Sequence, residues 1–371
     1  MTTIGAIGGS RRDAPTLRYD VTRDQLGLLL ADEPAYRTDQ LWRALHRRGA
    51  DLAEITDIPK VLRARLTDLL PAALTAEVES TSSDGETVKW LWRLHDGHHI
   101  ETVLMHYDDR TTVCVSSQAG CAMGCGFCAT GQAGFDRQLS VGEIVEQVIR
   151  ARRTSEPRRV SNVVFMGMGE PLANYDRLWP AVERIQADIG ISARHITIST
   201  VGVVPGIERL ATEVLPVNLA VSLHAANDGL RDELVPLNRQ YPLARLEAAC
   251  RRYLDAKGRR LSFEWALIDG VNDRPRDADE LAAISGRLGA HVNLIPLNPT
   301  PGYPTRGTPP GRVRSFHARL RASGVNATIR RNRGTDIDAA CGQLRAGRRT
   351  VAVDAPMTRR GSSNPHTDDH E

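Results

Sequence analysis

Long hydrophobic runs are missing from this 371-residue chain: no stretch approaches the roughly 18 consecutive apolar residues of a membrane-spanning helix. The opening MTTIGAIGGSRRD lacks the apolar core of a signal peptide, and Arg11-Arg12 is followed by DAPTLRYD instead of the hydrophobic region that a twin-arginine export signal requires. A cytoplasmic protein with no membrane partner is expected. An excess of either charge is also missing. Forty-eight Lys+Arg against 45 Asp+Glu leave a formal charge of +3, which permits an anionic partner without demanding one. Cysteine is scarce, with six residues and no even, loop-rich framework, which excludes a disulfide-stapled scaffold and favours metal or catalytic use.

The length suits one large α/β domain with a small accessory domain. Residues 1 to about 20 and the tail 348–371 are rich in Gly, Ser, Pro and charge and are expected to be disordered. Residues 21–82 are expected to form a small helical accessory domain. Thr22 with Gln25 makes a capping box, Leu41, Ala44 and Leu45 recur at helical spacing, and Gly49 stops that helix. Over 83–110 the pattern alternates as a β-meander: VKWLWRL, the turn Asp96-Gly97, HIETVLMHY, then a turn around Asp108-Asp109 before TTVCVSS.

From 111 to 347 strands and helices alternate, with strands predicted near 161–166, 195–200, 217–223, 261–268, 292–296 and 325–330. Ser140 with Glu143 caps the first helix, whose Ile144, Val145, Val148 and Ile149 face a core. Such alternation implies a parallel sheet closed or nearly closed, a partial TIM barrel with its chemistry at the strand C-terminal ends. Arginines pair at Arg47-Arg48, Arg152-Arg153 and Arg158-Arg159 and run through Arg330, Arg331 and Arg333. They suit a phosphate backbone, or equally a solvated surface.

The segment C-A-M-G-C-G-F-C places Cys121, Cys125 and Cys128 within eight residues, after a strand and before a helix. Thiolates suit iron–sulfur clusters and zinc, but no nearby Cys or His supplies the fourth ligand of a structural zinc site or an ordinary four-thiolate cluster. A cubane held by three thiolates keeps one iron open, where the amino and carboxylate groups of S-adenosylmethionine can chelate. Zinc, a dithiol at Cys125 and Cys128, or three buried thiols without function are the competing readings. Gly167-Met168-Gly169-Glu170-Pro171 follows an apolar strand like a cofactor-binding turn, yet Leu172 stands where a dinucleotide fingerprint has its third glycine.

The motif C-x3-C-x2-C with Phe127 before its last Cys resembles the radical S-adenosylmethionine superfamily. The segments CVSSQAGCAMGCGFCATG (114–131), VVFMGMGEPLAN (163–174), AVSLHA (220–225), IPLNPTPG (295–302) and DIDAACGQL (336–344) resemble, in order, its RlmN/Cfr family of dual-specificity RNA methyltransferases. The resemblance implies a (βα)6-type partial barrel and one [4Fe-4S] cluster on Cys121, Cys125 and Cys128. It implies two molecules of S-adenosylmethionine per turnover, bound by Gly169, Glu170, Ser199, Ser222, Leu223, His224 and Asn298. Val201 stands where relatives often carry a small polar residue.

The resemblance further implies that Cys341 carries a methyl group as S-methylcysteine, that Cys114 releases the product by forming a Cys114–Cys341 disulfide, and that Glu101 is the base. Strand parity gives Glu101 some independent support: a two-residue turn at Asp108 and Asp109 sets Val103 opposite Cys114 and puts Glu101 on the same face, whereas a three-residue turn reverses that face. Cys250, in the helical run LEAACRRYL, reads as core. The expected reaction is methylation of adenine carbon-2 in 23S rRNA, and of tRNA beside the anticodon, by a monomer served by an external electron donor and a disulfide reductant. Carbon-8 methylation uses the same cysteines. A non-catalytic iron–sulfur or zinc RNA-binding protein is the alternative of another class.

Overall fold

The computed structural model describes residues 15–300, 302–330, 333–340 and 342–344. Among them no helix is long and apolar enough to cross a membrane. The helical unit comprises α1 (Arg23–Leu29), α2 (Tyr36–Arg43), which continues into a widened turn through Arg48, and α3 (Lys60–Leu69). Its start and stop signals are those read from sequence. Thr22 Oγ1 accepts from Gln25 N–H at 3.2 Å while Gln25 Oε1 accepts from Thr22 N–H at 2.8 Å, and Gly49 ends the widened turn at φ 66°. Leu26, Leu41, Leu45, Leu62 and Leu66 form its buried face.

Two expectations at the edges of this unit need correction. Leu17, Arg18 and Tyr19 are buried, so the ordered chain begins before the boundary expected at about residue 20; residues 1–14 and the tail from 345 lie outside the described residues. The helices also stop at Leu69. Strand β1 (Thr75–Thr81) pairs antiparallel with β2 (Thr87–Arg93) inside the stretch expected to be helical. Its sequence TAEVEST has no apolar face, because β1 is a solvent-exposed sheet edge held by its ladder and by the side chains of Glu77 and Glu79, which bond to Arg93, His99 and Trp90.

Strands β3 (His99–His106) and β4 (Thr111–Cys114) complete an antiparallel meander. A small hairpin of β5 (Gln118–Gly120) and β6 (Phe135–Gln138), with α4 (Ala129–Gln132) between them, brackets the cysteine loop. Beyond it come β7 (Asn162–Phe165), β8 (Ile196–Thr200), β9 (Asn218–Ser222), β10 (Leu261–Leu267), β11 (His291–Pro296) and β12 (Ala327–Ile329). From β4 these strands pair in parallel in the order β4-β7-β8-β9-β10-β11-β12, and the meander extends the same ten-stranded sheet. The sheet is an open, partial barrel.

Its outer layer is α5 (Val141–Ser155), α6 (Tyr175–Arg184), α7 (Val204–Thr212), α8 (Asp228–Leu234), α9 (Leu243–Lys257), α10 (Pro275–Leu288) and α11 (Pro310–Ala322). The Ser140–Glu143 capping box forms as expected, and Ile144, Val145, Val148 and Ile149 are buried. Cys250 is fully buried in α9. The helical unit is fastened to α5 at both of its ends. Gly142 N–H donates to Asp20 Oδ1 at 2.7 Å and Ala73 N–H to Glu146 Oε2 at 2.8 Å, and Trp42 Nε1–H donates to Asp188 at 2.9 Å.

Candidate active site

At the C-terminal ends of the parallel strands a cavity of about 140 Å³, continuous with solvent, is lined by Cys121, Cys125, Cys128, Gly169, Glu170, Ser199, Ser222, His224 and Asn298. They come from the cysteine loop, the turn after β7 and the ends of β8, β9 and β11, as parallel α/β architecture dictates. Leu223 is the exception. Its side chain is buried in the core, and its backbone is committed to Glu264 O, 3.0 Å from Leu223 N.

The cysteine loop is tightly folded. Cys121 N–H donates to Gly134 O at 2.7 Å and Gln132 Nε2–H to Gly126 O at 2.6 Å. Burial and the neighbouring thiols push Cys121 up to about 12 and Cys125 well above its usual value. Thiols gathered in this way are suited to a cationic metal centre, which displaces their protons. No three His, Cys, Asp or Glu side chains among the described residues are gathered as a single ion would require. A cubane takes its thiolates on separate irons, further apart than the ligands of one zinc at about 2.3 Å each.

The Gly167–Gly169 turn lies directly against the segment entering that loop. Gly167 N–H donates to Val115 O at 3.1 Å and Ser117 N–H to Met168 O at 2.8 Å. At Gly169, φ is +100° and a Cβ would sit 2.5 Å from Gln118 Cβ, so only glycine fits. Glu170 is buried, and its carboxyl oxygens accept from Leu172 N–H at 3.1 Å and Val201 N–H at 2.9 Å. Burial nevertheless raises it to about 7. The departure at Val201 is thereby explained: its backbone serves Glu170 and accepts from Arg231 Nη2–H at 2.6 Å, so the side chain is free to vary.

His224 adopts φ 58°, a left-handed conformation rare for a non-glycine residue. Its Nδ1 accepts from Ala266 N–H at 2.9 Å, which assigns the proton to Nε2, and burial lowers the ring to about 3. The imidazole is therefore neutral, stands edge-on to Phe127 and donates through Nε2–H.

A second cavity adjoins the first through shared walls at Met166, Arg330 and Leu344, and its lining includes Val103, Met105, Cys114, Ala339 and Ala340. The Asp108-Asp109 turn has two residues: Tyr107 N–H donates to Arg110 O at 2.8 Å, and Val103 faces Cys114 across the ladder. Glu101 therefore shares a face with Val103 and Cys114. It is buried, outside the walls of both cavities, and lies 3.6 Å from the Lys89 ammonium, which also donates to Asp338 O at 3.2 Å. Cys341 lies outside the described residues, but the chain on either side of it is anchored here. Gly342 O accepts from Ala129 N–H at 2.8 Å, next to Cys128, and Gly342 and Leu344 line the first cavity.

Two residues escaped the sequence reading. Glu264, in the middle of β10 beside Ser222, lines the first cavity with Oε2 unpaired and its carboxyl raised by burial. An acid inside the otherwise apolar strand LSFEWAL was its signal. Arg231 in α8 is buried and donates to Leu223 O, Asn238 Oδ1 and Val201 O, tying two strand ends together. Its exposed-looking context RDEL gave no signal.

Residues 115–282 match the family model of the radical SAM superfamily. The chain is 52% identical over 363 residues to a probable dual-specificity RNA methyltransferase RlmN of Parafrankia sp. (strain EAN1pec), covering 91% of this chain and 93% of that one. A Chloroflexus aurantiacus protein of the same description is 51% identical, covering 90% and 94%. The crystal structure of a radical SAM methyltransferase from Sphaerobacter thermophilus superposes with a TM-score of 0.87 at 52% identity, over 90% of this chain and 100% of that one. The chain belongs to the RlmN family of radical SAM RNA methyltransferases. Membership implies S-adenosylmethionine, an iron–sulfur cluster and an RNA substrate, and the three-thiol cavity with its glycine turn fits the first two.

Proposed function

We propose that this enzyme methylates carbon-2 of an adenine in 23S rRNA, and of a tRNA adenosine beside the anticodon, in the cytoplasm. The observation that carries the reading is the adjoining of the two cavities, one lined by Cys121, Cys125 and Cys128 and the other by Cys114, with shared walls. Cys121, Cys125 and Cys128 would hold a [4Fe-4S] cluster, and Gly169, Glu170, Ser199, Ser222, His224 and Asn298, with the Leu223 backbone, would bind S-adenosylmethionine. When bound, these groups supply a methyl group and a one-electron route to a carbon radical.

The chain's own residues do the rest. Cys341 carries the methyl group as a thioether whose carbon becomes bonded to the adenine. Glu101 accepts the carbon-2 proton, and Lys89, 3.6 Å away, stabilises the carboxylate that must take it. The Cys114 thiolate attacks Cys341 Sγ: an S–S bond forms, the carbon–sulfur bond to the RNA breaks, and the released carbon takes up a proton. An external dithiol reductant returns both thiols. His224 and Phe127, in edge-on contact, form part of the wall of the first cavity.

Cys341→Ala is expected to abolish methylation, whereas Cys114→Ala is expected to accumulate a covalent RNA–protein adduct on denaturing gels. Free turnover by the Cys114 variant removes its resolving role. Mass spectrometry of digested RNA checks the regiochemistry, and an 8-methyl product alone overturns carbon-2. Absence of 5′-deoxyadenosine after anaerobic reconstitution with RNA and reductant would leave only an RNA-binding protein.

A further inference from the structure

The three arginine pairs of the sequence come together at one place. Arg47 lies in the widened turn after α2, Arg152 lies in the last turn of α5, and Arg159 precedes β7. One member of each pair is neutralised internally: Arg48 by Asp57 at 3.5 Å, Arg153 by Glu54 at 2.6 Å and Arg158 by Glu86 at 3.3 Å. Among the described residues the other three have no carboxylate within ion-pair distance, yet they converge. Arg47 fills the space over Gly190, where a Cβ would collide with its guanidinium, and Arg159 Nη2–H donates to Gly190 O at 3.1 Å. Arg152 Nη1 is buried with no hydrogen-bond partner. After burial itself, the charges of Arg159 and Arg47 are what depress the Arg152 guanidinium, against a weaker opposing influence of Glu156.

We propose that Arg47, Arg152 and Arg159 form a phosphate-binding site for RNA backbone, at the end of the barrel opposite the candidate active site. The location follows from topology. The end of α5, the approach to β7 and Gly190, which precedes β8, lie at the N-terminal ends of the parallel strands, whereas the cavity lies at their C-terminal ends. Three unneutralised guanidiniums repel one another, and a backbone phosphate held by the exposed Arg47 and Arg159 removes that repulsion. The charges sit on the helical unit, a barrel helix and a barrel loop, so an occupant clamps the seam between the two units. The site is remote from the target base, so it serves a long RNA and is irrelevant to a minimal one.

The inference rests on the RNA-modifying reading above, and the test separates the two. The cluster-loaded enzyme and a triple R47Q/R152Q/R159Q variant are compared for binding a long 23S rRNA fragment, and a minimal hairpin carrying the target adenine, across a salt series. The long RNA is expected to bind the variant about tenfold or more weakly, and the slope of log affinity against log salt to shrink by about two, near one unit per lost phosphate contact. Hairpin binding and S-adenosylmethionine affinity are expected to be unchanged, and R47K/R152K/R159K to retain the slope, which a merely structural role does not predict. An unchanged slope for the long RNA overturns the site. So does stabilisation of the wild type by inorganic phosphate, lost in the variant, without any change in RNA binding, because that marks a small-anion site. Failure of the wild type to bind RNA at all overturns the functional reading instead.

Discussion

The helical unit and the barrel mouth each bury one histidine, and the two are held in opposite ways. In the helical unit His46 Nδ1 lies 3.1 Å from Trp42 O and donates to it, the ring packs on Tyr19 and Trp42, and Nε2 faces dry core. At the mouth His224 Nδ1 accepts from a backbone N–H, the backbone is left-handed, and the free nitrogen faces a cavity. Burial is common to both. What separates a packing residue from a working one is where the unsatisfied atom points and whether the backbone is strained to aim it.

The largest test of that distinction uses two glycines. Gly49, the stop of the helical unit, has φ +66° and ordinary space, with the nearest atom to a built Cβ at 3.6 Å. Gly49→Ala is expected to cost about 1–2 kcal/mol from the left-handed backbone alone. Gly169→Ala adds a clash 2.5 Å from Gln118 Cβ, which brings the expected loss to roughly 3–4 kcal/mol. It should also abolish S-adenosylmethionine binding. Chemical denaturation and calorimetric titration of both variants check the difference, and equal stability losses would show that the mouth turn is not the tighter one.

Two buried glutamates sharpen the comparison with opposite signs. Glu146 in α5 is fully employed, accepting from Ala73 N–H at 2.8 Å and from Arg150 at 2.9 and 3.1 Å. Removing its charge with Glu146→Gln is expected to cost about 1.5–3 kcal/mol. Glu264 lines the cavity and keeps a buried Oε2 without a hydrogen-bond partner. Glu264→Gln is expected to stabilise the cofactor-free protein by about 1 kcal/mol while weakening S-adenosylmethionine about tenfold, as a site held ready for a ligand should. Thermal melts with and without cofactor separate these outcomes.

How much of this was legible in the sequence depends on how local the cause is. The caps at Thr22 and Ser140 and the stop at Gly49 are decided within a few residues and appear as read, whereas the sequence left a two- or three-residue turn open at Asp108-Asp109 and the ladder that sets Cys114 opposite Val103 decides it. Strand β1 was not legible, because an exposed edge has no apolar face and exists only through its neighbour β2. Nor was Arg231, whose role depends on two carbonyls brought together by the barrel. The arginine pairs were visible, but which member of each is neutralised depends on Asp57, nine residues from Arg48, and on Glu54 and Glu86, 99 and 72 residues from Arg153 and Arg158. Leu223 shows the converse: a motif match transfers a position, and the fold decides whether its side chain or its backbone reaches the cavity.

The smallest expected effect returns to the two histidines through pH. Burial lowers His46 to about 4 and His224 to about 3, while both protonate near pH 6.5 once unfolded. Below that pH the unfolded chain holds more protons than the folded one, so the stability these groups contribute is fully present above about 6.5 and is lost progressively on acidification toward 4 and then 3. His46→Gln and His224→Asn are each expected to flatten the fall in denaturation midpoint of the cofactor-free protein between pH 7 and 4.5, and Asn tolerates the left-handed backbone of position 224. The two variants should then part company. Only His224→Asn should weaken S-adenosylmethionine, since only its nitrogen faces the cavity, and equal affinities for both variants would erase the distinction between a histidine that packs and one that points.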